Sequence, residues 1–217
     1  MTLIATQKPV DEPFAEVIYS TSEMVIAQCY KESNSKAHKK GIFRGSIAKI
    51  ASSYDNSHAS YGLITKINNS SLDNIHKPSA LGLNYKQLAE LQPQVYELLR
   101  KELEIYLFAY GEKDEEILLY TPLKPMAIHD FVYEINEKDI LRLTENFSNL
   151  INVIKKNQLK PDILIDLITA GYKLRSNDYN YLLKTGQELT LAFSDEIESL
   201  MQVLKRLSEH SKKSQNS

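Results

Sequence analysis

The sequence predicts an α+β fold: a small antiparallel β-barrel with an inserted helix, followed by an all-α C-terminal helical bundle. Three observations carry this. Short β-branched and aromatic runs recur before residue 136, separated by turn-forming residues. Two of these runs hold an internal glycine, Gly45 and Gly62, as a tightly curved sheet requires. Past 136 no run reads as a strand, and apolar residues recur at helical spacing instead.

Residues 1–13 are polar, hold Pro9 and Pro13, and read as a flexible arm. Residues 15–20 and 23–30 read as a hairpin turning at Ser20-Thr21-Ser22. The stretch 31–41 is solvated and cationic, with Lys31, Lys36, Lys39 and Lys40, and Arg44 just beyond it. A charged hairpin tip is its first reading and a phosphate-facing loop its second. Residues 42–52 read as a third strand around Gly45, 54–58 as a turn, and 59–67 as a fourth strand around Gly62. Residues 68–83 are polar and irregular. Asn84 with Gln87 forms a capping box, and the helix it opens restarts at Pro93. Val95, Leu98, Leu99 and Leu103 continue at helical spacing, which predicts a helical insertion over 85–103. A buried strand at 105–110 ends at Gly111, an acidic turn covers 112–116, and 117–120 closes a second hairpin. Pro122 and Pro125 frame an extended piece, and 126–135 is the last expected strand.

Asn136 caps the next helix, with Asp139 at its third position and Leu143, Phe147, Leu150, Ile151 and Ile154 along it. Pro161 and Asp162 open a second helix, with Leu164, Leu167 and Ile168. Asn177 or Asp178 opens a third, with Tyr181, Leu182, Leu189 and Phe193. Ser194-Asp195-Glu196 caps a fourth, with Ile197, Leu200, Met201, Leu204 and Leu207. The organisation is therefore an arm over 1–13, a barrel domain over 14–135, a helical domain over 136–208 and a disordered tail over 209–217.

Hydrophobic residues make up 42% of the chain and charged residues 25%, enough for a real core. The net charge of −2 argues against a broad nucleic-acid-binding face, so any such contact is local or made through a partner. Cys29 is the one cysteine, which excludes an intramolecular disulfide, and its apolar run suits a buried thiol. No signal peptide and no membrane-length apolar stretch is readable, so a cytoplasmic location is expected. There is no phosphate loop and no dinucleotide fingerprint, and no histidine pair has metal-ligand spacing. His38, His58, His76 and His210 lie in polar segments, and His129 is placed in the last strand. Asp114-Glu115-Glu116 reads as a solvated turn, and nothing in their spacing gathers Asp55, Asp73, Asp130 and Glu134. No residue is assigned a catalytic, cofactor-binding or metal-ligating role, and the chain reads as a non-enzyme with no cofactor. The last helix is amphipathic, which suits core packing first and docking second.

One set of segments is more distinctive than its composition. It comprises Phe43-Arg44-Gly45-Ser46-Ile47-Ala48-Lys49-Ile50, Tyr61-Gly62-Leu63-Ile64, Ser70-Ser71-Leu72-Asp73, Ala80-Leu81-Gly82, and the helix around Gln92-Pro93-Gln94. These segments resemble the HAS-barrel proteins, an uncharacterised cyanobacterial and plastid-lineage family named for the β-barrel of HerA helicases and ATP synthase catalytic subunits. The resemblance spans residues 13 to about 205. It implies a barrel module that contacts ring-ATPase subunits or a partner nuclease. The expected function is a non-catalytic accessory module that recruits or regulates a DNA-translocating, HerA-like ATPase or another ring complex. An adaptor or assembly factor unrelated to DNA, in an ATP-synthase or photosynthetic setting, is the alternative; a metal-dependent nuclease-like hydrolase is the least favoured. A plastid origin would place the chain in the organelle stroma, and self-association stays open.

Overall fold

The computed structural model describes residues 12–31, 42–53, 58–72, 79–112 and 117–215. Six antiparallel strands close into a barrel in the order β1-β2-β5-β4-β3-β6. They are β1 (Ala15–Ser20), β2 (Met24–Cys29), β3 (Ile47–Ala51), β4 (His58–Ser71), β5 (Leu99–Glu112) and β6 (Phe131–Glu134). Alternation selects two faces. Val17, Val25, Ala27, Ile50, Leu103, Ile105, Leu107 and Val132 point inward and fill the barrel. Ile47, Tyr61, Leu63, Phe108 and Ala109 point outward and are buried too, under the helices.

The hairpin β1–β2 forms as expected, with Thr21 Oγ1 accepting from the Met24 amide at 3.1 Å. A bulge between Val17 and Tyr19 turns Ile18 and Tyr19 both to solvent. The third strand is shorter than expected. Gly45 lies in the turn before it at φ +96°, and a Cβ there would sit 2.5 Å from the Ile163 carbonyl oxygen. Gly62 does lie inside its strand, at a register shift. A Cβ on it would come within 2.4 Å of Ile105 Cγ2, so glycine is what lets β4 pass the filled interior.

β4 and β5 are 14 residues each and pair from His58↔Glu112 to Ser71↔Leu99. Two short helices, α1 (Tyr85–Leu91) and α2 (Pro93–Leu98), join them. The capping box at Asn84 and Gln87 forms in both directions. The insertion ends at Leu98 rather than 103. Leu99 and Leu103 fit helical spacing, but with Ile105 and Leu107 they also fit a period of two, and burial of Leu103 in the barrel decides for the strand. Residues 68–71, expected to be irregular, continue β4. Residues 117–120 contribute one isolated bridge, Tyr110↔Leu118, instead of a strand. β6 begins only at Phe131, so His129 lies in a turn at φ 72°. Buried Asp130 holds that turn, accepting from the amides of Ser53 at 2.8 Å and Ala127 at 2.7 Å.

Every regular element after β6 is helical: α3 (Glu137–Leu143), α4 (Ser148–Lys156), a 3₁₀ turn (Pro161–Leu164), α5 (Ile165–Leu174), α6 (Tyr179–Ala192) and α7 (Ile197–Gln215). Asn136 caps α3 through the Asp139 amide at 2.9 Å, and Asp178 caps α6. The single helix expected from 136 breaks at 144–147. Asn146 Oδ1 takes the Ser148 amide at 2.7 Å, and Glu188 of α6 takes the Phe147 amide at 3.1 Å. The expected disordered tail over 209–217 is helical as far as Gln215.

These helices do not enclose a core of their own. Leu143, Phe147, Leu150, Ile168, Tyr172 and Phe193 join the outer barrel residues in one apolar cluster. The Tyr61 hydroxyl donates to the Asp139 carboxylate of α3 across this seam; burial first, and then that carboxylate, hold the phenol above its usual range.

Candidate interaction surface

Helix α6 carries two apolar stripes. Tyr181, Leu189 and Phe193 at its end face the core. Tyr179, Leu183 and Leu191, spaced by about one and then two turns, face outward with Leu191 82% exposed. On α7, Leu200, Val203 and Leu207 are buried, while Ile197 and Met201 are exposed. Between the helices runs a groove of about 770 Å³, lined by Tyr179, Leu183, Gly186 and Leu191 from α6 and by Leu204 and Leu207 from α7.

Gly186 sits mid-helix in the wall of this groove, where glycine costs about 1 kcal/mol relative to alanine. Nothing inside the chain demands it: a Cβ there would meet Leu204 Cδ2 at an ordinary 3.7 Å. Its effect is to lower the groove wall. The rim is polar. Lys184 and Glu188 pair at 3.9 Å, and Lys184 also donates to the Glu145 carbonyl at 3.1 Å. On α7, Lys205 and Arg206 stand in the sequence between the lining residues Leu204 and Leu207.

Of the residues weighed from sequence, few come together. Asp55 and Asp73 lie outside the described residues, as do Lys36, Lys39 and Lys40. Asp130 is saturated by the loop it holds, with Ser53 Oγ at 3.1 Å as a third donor. Glu134 sits at the barrel–helix seam with Oε1 buried and unpartnered. Among the described residues no three His, Cys, Asp or Glu side chains cluster as a metal site. Arg44 is held by the Thr65 carbonyl at 3.2 Å. Burial pushes the Cys29 thiol up to about 11, against a smaller opposing effect of Lys101. His129 pairs through Nδ1 with Glu16 Oε1, whose other oxygen takes the Tyr30 hydroxyl at 3.1 Å. Among the described residues no helix is long and apolar enough to cross a membrane.

Helical periodicity in the sequence assigns α6 only Tyr181, Leu182, Leu189 and Phe193; Tyr179, Leu183 and Leu191 form a second apolar line beside that one. No family model matches the chain, and no curated protein matches its sequence.

Proposed function

We propose that the chain is a non-catalytic interaction module whose α6–α7 groove docks an amphipathic helix of a partner protein, apolar on one face and acidic on its flank. The exposed apolar stripe on α6 beside Gly186 carries this reading. A contiguous exposed apolar groove marks an interaction surface, and anchors spaced by helical turns suit a helix-in-groove contact. Lys205 and Arg206, which flank the lining residues Leu204 and Leu207 in the sequence, support an acidic flank on the occupant. The resemblance to HAS-barrel proteins directs the choice of partner to a subunit of a HerA-type ring ATPase, which the module would recruit or regulate in the cytoplasm or stroma. On this reading the helices past 136 are a docking bundle mounted on the barrel wall. An assembly role unrelated to DNA uses the same groove.

The test is co-purification with the full chain and with Leu183→Glu and Met201→Glu. Both side chains are more than half exposed, so the variants should fold. The expected result is recovery of a ring-ATPase subunit by the unaltered chain and its loss, by about tenfold or more, with either variant. Recovery of no ATPase and no nuclease would sink the ring reading. Equal recovery by the variants would move the contact off the groove. Self-association broken by Leu183→Glu would give the groove to a second copy of the chain.

A further inference from the structure

We propose that the barrel mouth beside α1–α2 is a binding site for a small phosphate-bearing molecule. At this end, Asn69 pairs with Lys101 and Ser70 with Arg100 across β4 and β5. Lys31 follows the last residues of β2. Together with Tyr85 of α1, these residues line a groove of about 640 Å³ around the strand ends. That size falls within the roughly 300–1,000 Å³ of ligand pockets, and barrel mouths are among their preferred places.

The groove's charge is uneven. Among the described residues three cations line it and no carboxylate does. Glu97 approaches Lys31 from α2 at 3.9 Å with a largely exposed side chain. Among the described residues no carboxylate lies within ion-pair distance of Arg100 or Lys101. Arg100 uses one amino group, Nη1, on the carbonyls of Glu97 and Leu99, which fixes the guanidinium, and among the described residues Nη2 has no acceptor. Lys31 is pushed below its ordinary value, by burial first and also by Arg100, with Glu97 opposing. A fixed arginine, two lysines, the Asn69 amide and the Ser70 hydroxyl suit a phosphate, which takes several donors at once.

The helices limit what can enter. Lys31 Nζ donates to the Tyr96 carbonyl and lies 4.5 Å from the Tyr96 ring centre, and Tyr85 meets Tyr96 edge-on at 5.0 Å. The Leu72 amide bonds the Leu98 carbonyl at 2.8 Å, which ties the insertion to the strand end. A groove closed on one side by this hairpin fits a compact ligand better than a running strand of nucleic acid. Tyr85 adds a ring face for a base or sugar.

The experiment is calorimetric titration of the full chain with pyrophosphate and with ATP, beside adenosine, at low and high salt. Saturable binding of both phosphates, weakened by salt and absent for adenosine, is expected. Losing one charged donor costs about 1.5–3 kcal/mol, so Lys101→Gln should weaken binding about tenfold to a hundredfold. Lys101 is exposed, so this variant should keep the fold, with circular dichroism as the check. Lys101→Arg should bind like the unaltered chain, and so should the distant Lys205→Gln. No saturable binding of either phosphate, or equal binding by Lys101→Gln, would overturn the site. Tighter binding of a twelve-residue oligothymidine than of ATP, lost with Lys101→Gln, would replace it with a nucleic-acid surface.

Discussion

Gly62 allows the barrel packing to be tested at a single atom. Its φ is ordinary, so replacement by alanine introduces no backbone strain; the whole effect comes from space. The added Cβ would stand 2.4 Å from Ile105 Cγ2, 3.0 Å from the Tyr106 carbonyl oxygen and 3.2 Å from Leu107 Cδ2. Ile105 and Leu107 are fully buried in the barrel, so neither can swing into solvent. Overpacking of this kind costs about 1–3 kcal/mol. With a urea dependence of about 2 kcal/mol per molar, the unfolding midpoint should fall by about 0.5–1.5 M. The sharper measurement is a double-mutant cycle with Ile105→Ala, which removes the atom that Gly62→Ala strikes. Ile105→Ala alone should cost about 2–5 kcal/mol, and in that background Gly62→Ala should cost about 1 kcal/mol less than in the unaltered chain. Strict additivity of the two changes would refute the claim that Ile105 makes glycine necessary here.

Gly45→Ala should be worse than Gly62→Ala in the same titration, because it adds a positive φ to a 2.5 Å approach on the Ile163 carbonyl, a backbone atom. Asp130→Ala strands the amides of Ser53 and Ala127, which at about 1–3 kcal/mol for each orphaned group should lower the thermal midpoint by about 4–24 °C. With the Cys29 thiol raised from about 9 to about 11, iodoacetamide at pH 8 should modify the folded chain about a hundredfold more slowly than the urea-unfolded chain. The unfolded thiol ionises first as pH rises, so the unfolded state binds fewer protons, and this group's contribution to stability should fall between about pH 9 and 11 in a urea series.

Where a structural decision is local, the sequence carries it. The Asn84–Gln87 box, the Asn136 cap and the restart at Pro93 each involve neighbours within a few residues, and each reads correctly; of Asn177 and Asp178, the structure selects Asp178. The first hairpin reads correctly for the same reason. Decisions made by distant partners do not read. Residues 68–71 look like loop because they are polar, yet they extend β4 by pairing with residues 99–102. The break before α4 depends partly on Glu188, 41 positions away from Phe147. The candidate groove was half legible: its second stripe can be drawn on α6 from sequence, but that the core takes only the other stripe is a tertiary fact. Lys101 and Arg100 were hidden at the barrel mouth because their segment reads as helix.

The shared cluster between the barrel wall and the helices bears on how such a chain could be divided. Ending it after residue 135 would leave Ile47, Tyr61, Leu63, Phe108 and Ala109 facing water in one patch. The severed helices would likewise lose the surface that orders Leu143, Phe147 and Ile168. The two halves are thus each other's solvent shield, and neither could be traded for another module without redesigning the wall between them. Among the described residues β1, β2 and β6 add no buried side chain to that cluster, so the shield is built on one side of the barrel, by β3, β4 and β5.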